Sequence, residues 1–467
     1  MVRLLFKALW SYDEEATMSE GTFGTARRHK VHEKETYRDA YQRDRDRVLY
    51  SSAFRRLAGV AQVAAVNEQL VLHNRLTHSL KVAQMGRRLV QHLRFQSDEP
   101  EFPAGSDLNE DVVETAGLVH DIGHPPFGHI AEEVLDQHLA QVGGLEGFEG
   151  NAQSFRVVTK LARRKMEHPG LNLTQATLNA ILKYPRLKPR DSAKPTASWT
   201  DRGYGDKWGA YQTERVDFGW VRQKSSGELR SANAILMDWA DDISYATHDL
   251  EDYFRAGLIP LHNLAVDRDR MIKHGCRRLK KVTGFNEYRF EEQIDEILKE
   301  FGRSLRSRCW DTRENRVRMN MITSDHLTRF VDAVRLVDGP PYVEVDQESQ
   351  YRVAALKELT WFYVIDRPPL AIHQEGQKSI IGSLFDRLLA CLEKSPNSPK
   401  IPIQLRVIYR DIKRDDEAKG TFEKNKDARC ARAVTDYICL LTEAQAVDLG
   451  KRLAGRSQSS MFGTWFN

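Results

Sequence analysis

The chain has 467 residues, 41% of them hydrophobic and 29% charged, a length that allows two to four domains or one large helical body. Lys and Arg number 70 against 66 Asp and Glu, and this interleaved net charge of +4 argues against a dedicated nucleic-acid binder. The five cysteines are scattered and form no C-x-x-C pair, which indicates neither a disulfide framework nor a thiolate zinc site.

The opening MVRLLFKALW is too short for a signal segment or a membrane span, and no later stretch reaches roughly eighteen apolar residues. A cytoplasmic protein that does not enter a membrane is therefore expected. Residues 1–36 read as a polar lead-in, 37–260 as a core, and 261–467 as a mainly helical region packed on it. From Tyr37, YRDAYQRDRDRVLYSSAFRRLAGVAQV carries Val48, Leu49, Ala53, Phe54 and Leu57 at helical spacing. By composition its RDRDR run is a solvated face laced with ion pairs. In VLHNRLTHSLKVAQMGRRLVQHL (71–93), an apolar stripe from Leu80 to Leu93 predicts a helix starting near Thr77, with His73, Arg75 and His78 at or before its start. A lone histidine in that position is more often a hydrogen-bonded structural residue than a ligand.

Ser106 or Asp107 is the expected N-cap of LNEDVVETAGLV, a helix that delivers His120-Asp121 at its end. Gly123 is suited to a left-handed cap, and Pro125-Pro126 prevent continuation. A new helix near Phe127 puts His129 and Glu132 three residues apart on one face. After GGLEGFEGN and the helix NAQSFRVVTKLARR comes an exposed loop at 185–200. SANAILMDWADDISYATHDLEDYF (231–254) reads as one long helix capped by Ser231. Its apolar side includes Met237, Ala240 and Ser244, so Asp241 points inward and Asp242 lies about 100° further round. Tyr245 and Asp249 share the face of Asp241 at i+4 and i+8. The remainder is helical by pattern, including DARCARAVTDYICLLTEAQAVDLGKRL, with a turn-rich break at 336–348 as the place for one short β hairpin. The fold class is all-α.

His78, His120, Asp121 and Asp241 supply four ligands from three predicted helices. Two imidazoles and two carboxylates form a borderline-to-hard donor set, suited to Mn, Fe, Co, Ni, Zn or Mg rather than copper or an iron–sulfur cluster. A six-coordinate metal so bound keeps open positions for water and a phosphate oxygen, the arrangement of a metal-dependent phosphohydrolase. HD-x-G-H-x-P-x-x-H with an upstream His and a downstream helical Asp is a far more specific signal than His-Asp alone.

The pattern resembles the HD-domain superfamily and, within it, the deoxynucleoside triphosphate triphosphohydrolases of the dGTPase family. The matching pieces are YQRDRDRVLYSSAFRRL, AQV (61–63), HNRLTHS (73–79), HDIGHPPFGH (120–129), FEGNAQSFR (148–156), LKYP (182–185) and ADDISY (240–245), in the family's order and spacing. This resemblance implies an HD-domain helical core and hydrolysis of a dNTP to deoxynucleoside and tripolyphosphate. It implies metal ligation by His78, His120, Asp121 and Asp241, with Mn, Mg, Co, Fe or Ni as the divalent metal. His129 and Glu132 match the catalytic pair. Arg75 and His124 match polyphosphate-binding positions, Lys183 and Lys207 are further candidates by their motifs, and Tyr184 and Asn151 are weaker ones. Gln62 matches the reader of the deoxyribose 3′-OH, Tyr245 the aromatic residue that leaves no room for a 2′-OH, and Asp249 a further sugar contact.

The family commonly forms homo-oligomers, often hexamers, and some members respond to a dNTP or single-stranded DNA effector. In TDYICLLTEAQA (435–446) the chain departs from the family, with Leu441-Thr442-Glu443 in place of a Met-Thr-Asp-type run, so neither a guanine preference nor an effector site carries over. A different HD phosphohydrolase, such as a nucleotide phosphodiesterase or 5′-nucleotidase, fits the Gln62, Arg75, Tyr245 and FEGNAQ matches less well. A nucleotide- or DNA-binding regulator with a vestigial site is disfavoured by the intact ligands.

Overall fold

The computed structural model describes residues 24–30, 37–62, 73–97, 102–103, 105–188, 205, 207–225, 227–304, 312–365, 368–422 and 424–456. Most of the lead-in, Val63, and most of the loop at 185–200 lie outside these residues. Helix starts along the chain are set by polar side chains that accept the first free amides. Asp39 caps α1 (Ala40–Leu49) and Ser51 caps α2 (Ser52–Arg56). Asn74, in a capping box with Thr77, starts α3 (Arg75–Gln96), and Asn109 starts α4 (Glu110–Val119). Then follow α5 (His129–Ala140), α6 (Gly150–Arg156), α7 (Gln175–Ile181), α8 (Arg215–Val221), α9 (Ala232–Ser244), capped by Ser231, and α10 (Leu250–Arg255). The C-terminal part comprises α11 (Arg268–Leu279), α12 (Glu287–Ser304) and α13 (Arg313–Asp332). An antiparallel hairpin of β1 (Val334–Leu336) and β2 (Val343–Val345) comes next, paired Val334 to Val345. It leads to α14 (Gln347–Thr360), α15 (Pro368–Lys394), α16 (Ile403–Lys419), α17 (Lys426–Ile438) and α18 (Glu443–Leu453). The fold is all-α with this one hairpin among the described residues.

Two apolar cores organise these helices. In the first, α3 lies along α4 and α9, and Val82, Leu89, Val112, Ala116, Leu236 and Ala240 are buried together. That core runs on through α12 and α14, which contribute Ile294, Ile297, Leu356 and Leu359. In the second, Ala131, Leu135 and Leu139 of α5 pack with Leu384 and Leu388 of α15, Leu405 of α16, and Val434 and Ile438 of α17. Each fully buried Leu or Ile here contributes about 1.5–3 kcal/mol.

Several local expectations are corrected. α3 begins at Arg75 rather than Thr77, because Asn74 accepts from Thr77 N. The cap of α4 is Asn109, which accepts from Asp111 N and Val112 N, whereas Asp107 has left-handed backbone (φ 53°). The RDRDR run is not simply a solvated face. Asp44 is buried on Arg27 and accepts from Thr174 N, and Arg47 is buried on the carbonyls of Leu171 and Asn172. The 231–254 helix is interrupted by a wider π-type turn at Tyr245–Asp249, which changes the angular step on which the placement of Asp249 depended. The last predicted helix is two, divided where Thr442 and Gln445 form a capping box.

Candidate active site

α3 carries Arg75 and His78 in its first turns, and α4 ends at Val119, so His120 is its C-cap. From there successive turns, His124 N to Asp121 O (3.1 Å) and Gly128 N to Pro125 O (3.1 Å), lead into α5 and place His129 at its first position. Gly123 does not take a left-handed cap. Its N–H donates to Ser154 Oγ (3.0 Å), and a Cβ on it would lie 2.1 Å from Ser154 N, so the absence of a side chain lets α6 approach. Ser154 Oγ in turn donates to His120 O (2.9 Å), holding the His-Asp turn from behind.

His78, His120, Asp121 and Asp241 converge. Ligand atoms of the first three lie within 4.8 Å of one another. Asp241 Oδ1 stands 3.0 Å from His78 Nε2 and 3.7 Å from His120 Nε2. His120 Nδ1 donates to Gly117 O (2.7 Å), which leaves Nε2 as a bare lone pair. That lone pair is buried without a hydrogen-bond partner and faces Asp121 Oδ2 at 3.5 Å. Two electron-rich atoms buried face to face repel unless a cation lies between them, so the donor set fits a divalent metal. The Arg75 guanidinium is 2.7 Å from Asp121 Oδ2 but without hydrogen-bond alignment. Burial works to raise the Asp121 carboxyl, yet the Arg75 guanidinium beside it holds it well below the usual range. For Asp241, burial is likewise outweighed, by Lys183, His120 and His78.

The second cluster is on α5. His129 Nδ1 donates to Glu132 Oε2 (3.1 Å), and the His129 side chain is 75% exposed, so its other nitrogen is open to a ligand. Glu132 is buried, with Oε1 3.1 Å from His124 Nε2 and Oε2 4.0 Å from Lys207 Nζ. Burial favours its neutral form, but His124, His129 and Lys207 keep it ionised. His124 is pushed down to about 3 by burial and then by Arg75, and its two ring nitrogens lie 3.1 Å from Asp121 Oδ1 and 3.1 Å from Glu132 Oε1. A Cβ on Gly150 would lie 2.5 Å from Glu132 Oε1, so the FEGN turn passes directly over this carboxylate.

The remaining predicted residues fall around these clusters. Lys183 Nζ is 2.7 Å from Asp238 Oδ1 and 3.1 Å from Asp241 Oδ2, and Tyr184 follows in the same turn, its hydroxyl raised by burial. Lys207 pairs with Glu149 (3.0 Å). A backbone bridge between Ala61 and Asn74 brings Gln62 to the start of α3, where its buried Oε1 has no hydrogen-bond partner. Lys357 Nζ sits 5.0 Å from the Tyr245 ring centre and also pairs with Asp242. Asp249 is buried, its carboxyl is pushed well up by burial and by Asp252, and its Oδ2 has no hydrogen-bond partner. The sequence reading missed Ser154, Glu149, Arg56 and Glu443. The FEGNAQSFR motif contained the first two and YQRDRDRVLYSSAFRRL contained Arg56, while Glu443 stands in the 435–446 run. Arg56 and Glu443 act on backbone atoms of distant segments, which gives their roles no local signal.

The model of the HD domain matches residues 75–246, and that of the phosphohydrolase-associated domain matches residues 343–452. Together with the His-Asp centre, these matches define an HD-domain phosphohydrolase. The chain is 32% identical over 447 residues to a deoxyguanosinetriphosphate triphosphohydrolase-like protein of Streptomyces coelicolor, covering 91% of this chain and 94% of that one. Proteins of the same description from Corynebacterium glutamicum (strain R) and Vibrio parahaemolyticus are 31% identical over 439 residues and 29% over 461. The alignments cover 89% and 91% of this chain, and 92% and 95% of theirs. The chain belongs to this deoxyguanosinetriphosphate triphosphohydrolase-like family. No described helix is long and apolar enough to cross a membrane.

Proposed function

We propose that the protein hydrolyses deoxynucleoside triphosphates to deoxynucleoside and tripolyphosphate, with water attacking the α-phosphorus. The observation that carries this reading is the His129–Glu132 hydrogen bond on an exposed helix start, next to the buried His78, His120, Asp121 and Asp241 cluster. The names of the relatives point the same way. A divalent metal held by those four residues, Mn, Mg, Co, Fe or Ni, would polarise the phosphoryl group and lower the pKa of water.

The chain's own groups do the rest. As the new P–O bond forms, the bond to the 5′ oxygen breaks and that oxygen needs a proton. His129, as an imidazolium, supplies it from the nitrogen turned away from Glu132, and the ring regains a proton from the water that has attacked, while the ionised carboxylate 3.1 Å from Nδ1 holds the ring in orientation. Arg75, His124 and Lys207, with Lys183 and Tyr184, surround the polyphosphate, where cationic and hydrogen-bonding donors are required. Asp249 meets a sugar hydroxyl with its unpaired carboxyl oxygen. Gln62 reads the 3′-OH with its unpaired amide oxygen, and Tyr245 closes the space a 2′-OH would need.

Incubation with each dNTP and NTP in Mn or Mg, followed by product analysis, tests this. Tripolyphosphate and deoxynucleoside are expected. Pyrophosphate or orthophosphate as the sole phosphate product overturns it, as does binding without turnover.

A further inference from the structure

We propose that Glu443 is a positioning residue, a clasp that fixes the distance between the sugar-reading and proton-donating sides of the site. One oxygen, Oε1, accepts from Ala61 N (2.9 Å) and from Phe127 N (3.3 Å). Ala61 immediately precedes Gln62, and Phe127 lies two residues before His129. Glu443 belongs to the first turn of α18, on the far side of the molecule's sequence from both.

The backbone held at Phe127 is one that resists being held. Phe127 has φ 69° and Gly128 φ 57°. A bulky residue in the left-handed region costs on the order of 1–3 kcal/mol and persists only where its surroundings over-determine it. Glu443 is one such determinant, because it occupies the Phe127 N–H. Arg56 reinforces the same junction, donating from one guanidinium nitrogen to Leu441 O (3.0 Å) and from another to Ile122 O (3.0 Å) and His124 O (2.7 Å). Thr442 packs so tightly on Gly59 that a Cβ there would lie 2.8 Å from the threonine side chain. The start of α18 is thus wedged between the segment leading to Gln62 and the turn leading to His129. Losing the clasp frees both segments at once without removing any of the four metal-ligating side chains.

The roles of Gln62 and His129 rest on the proposed function, so the test separates the two. In the full-length protein, Glu443→Gln keeps a carbonyl acceptor at the same reach, and Glu443→Met keeps the length without it. Kinetics are measured on a dNTP and on its 2′,3′-dideoxy counterpart, with bound metal determined in parallel. The clasp requires that Glu443→Met keep its metal and lose kcat by at least about tenfold, since displacement by about 1 Å costs up to 10²-fold. Its kcat/KM preference for the 3′-OH substrate must shrink as well, while Glu443→Gln stays near wild type. Wild-type kcat and preference in Glu443→Met overturn the inference, as do equal losses in both variants or a parallel loss of metal. Glu443→Ala repeats the measurement should the Met variant not fold. A wild-type protein without dNTP turnover overturns the proposed function itself, and a wild type with turnover but no 3′-OH preference removes Gln62 from it.

Discussion

Asp241 and Asp242 are adjacent in sequence and face different partners. Asp241 Oδ1 lies 3.0 Å from His78 Nε2, while Asp242 is ion-paired with Lys357 on α14. Asp241→Ala therefore removes a ligand and should weaken metal binding and turnover by more than the 10–100-fold seen when a ligand's supporting contact is lost. Asp242→Ala should keep its metal. Metal content after dialysis, read beside kcat, distinguishes them, and metal loss in Asp242→Ala would refute the assignment.

His129 makes its hydrogen bond to Glu132 and has no place among the four converging metal ligands. His129→Ala should bind metal and substrate normally and turn over about 10²–10⁴-fold more slowly. Near-normal single-turnover rates would remove it from the mechanism.

Gly150 offers a test that separates activity from stability. A methyl group there would press on the flexible end of Glu132, at 2.5 Å, so the side chain yields at little structural cost. Glu132 would, however, leave His129. Gly150→Ala should lower kcat by about tenfold or more while changing unfolding free energy by less than about 1 kcal/mol. Urea denaturation alongside kinetics reads both, and unchanged kcat is the outcome against it.

Arg156 is a structural counterpart. Its guanidinium donates to both oxygens of Asp436 (2.9 and 2.7 Å) and to Glu214 (2.5 Å), all buried. Arg156→Met leaves two buried carboxylates without their cation and should cost about 3–5 kcal/mol of stability, measured by urea unfolding.

His326 sets a pH dependence away from the site. It packs between Phe301 and Phe330, and burial, then Arg352, pushes its pKa down to about 4. A folded pKa below the unfolded value of about 6.5 means that the unfolded chain binds the proton more readily. This contribution to stability is full above pH 6.5 and declines as pH falls toward 4. The urea midpoint should drop between pH 7 and pH 5, and His326→Gln should reduce that drop.

The fold of this chain was legible where it depended on local order. The all-α class, the end of α4 at His120 and the cap at Ser231 follow from periodicity and capping chemistry within a few residues. The start of α4 did not, because Ser106, Asp107 and Asn109 are all competent caps and the choice is made by the left-handed turn at Asp107 and the two amides that Asn109 accepts from. Asp44 and Arg47 looked solvated because the groups that bury them come from residues 27 and 171–174. Glu443 acts on amides at 61 and 127, and amides are the same in every residue. Convergence of the four ligand positions was suggested by motif spacing, but the bare Nε2 of His120 needed the Gly117 carbonyl to be seen in place.

The helices that bring the proposed metal ligands together, α3, α4 (which ends just before His120) and α9, are rooted in the first core, whereas α5, bearing His129 and Glu132, is rooted in the second. On the proposed function, turnover would then behave as a logical conjunction: one core could hold metal while α5, swung slightly out of register, left the leaving group without its proton. Mild denaturant that loosens α15–α18 first would leave a fully metallated but silent protein, and activity would disappear before metal does.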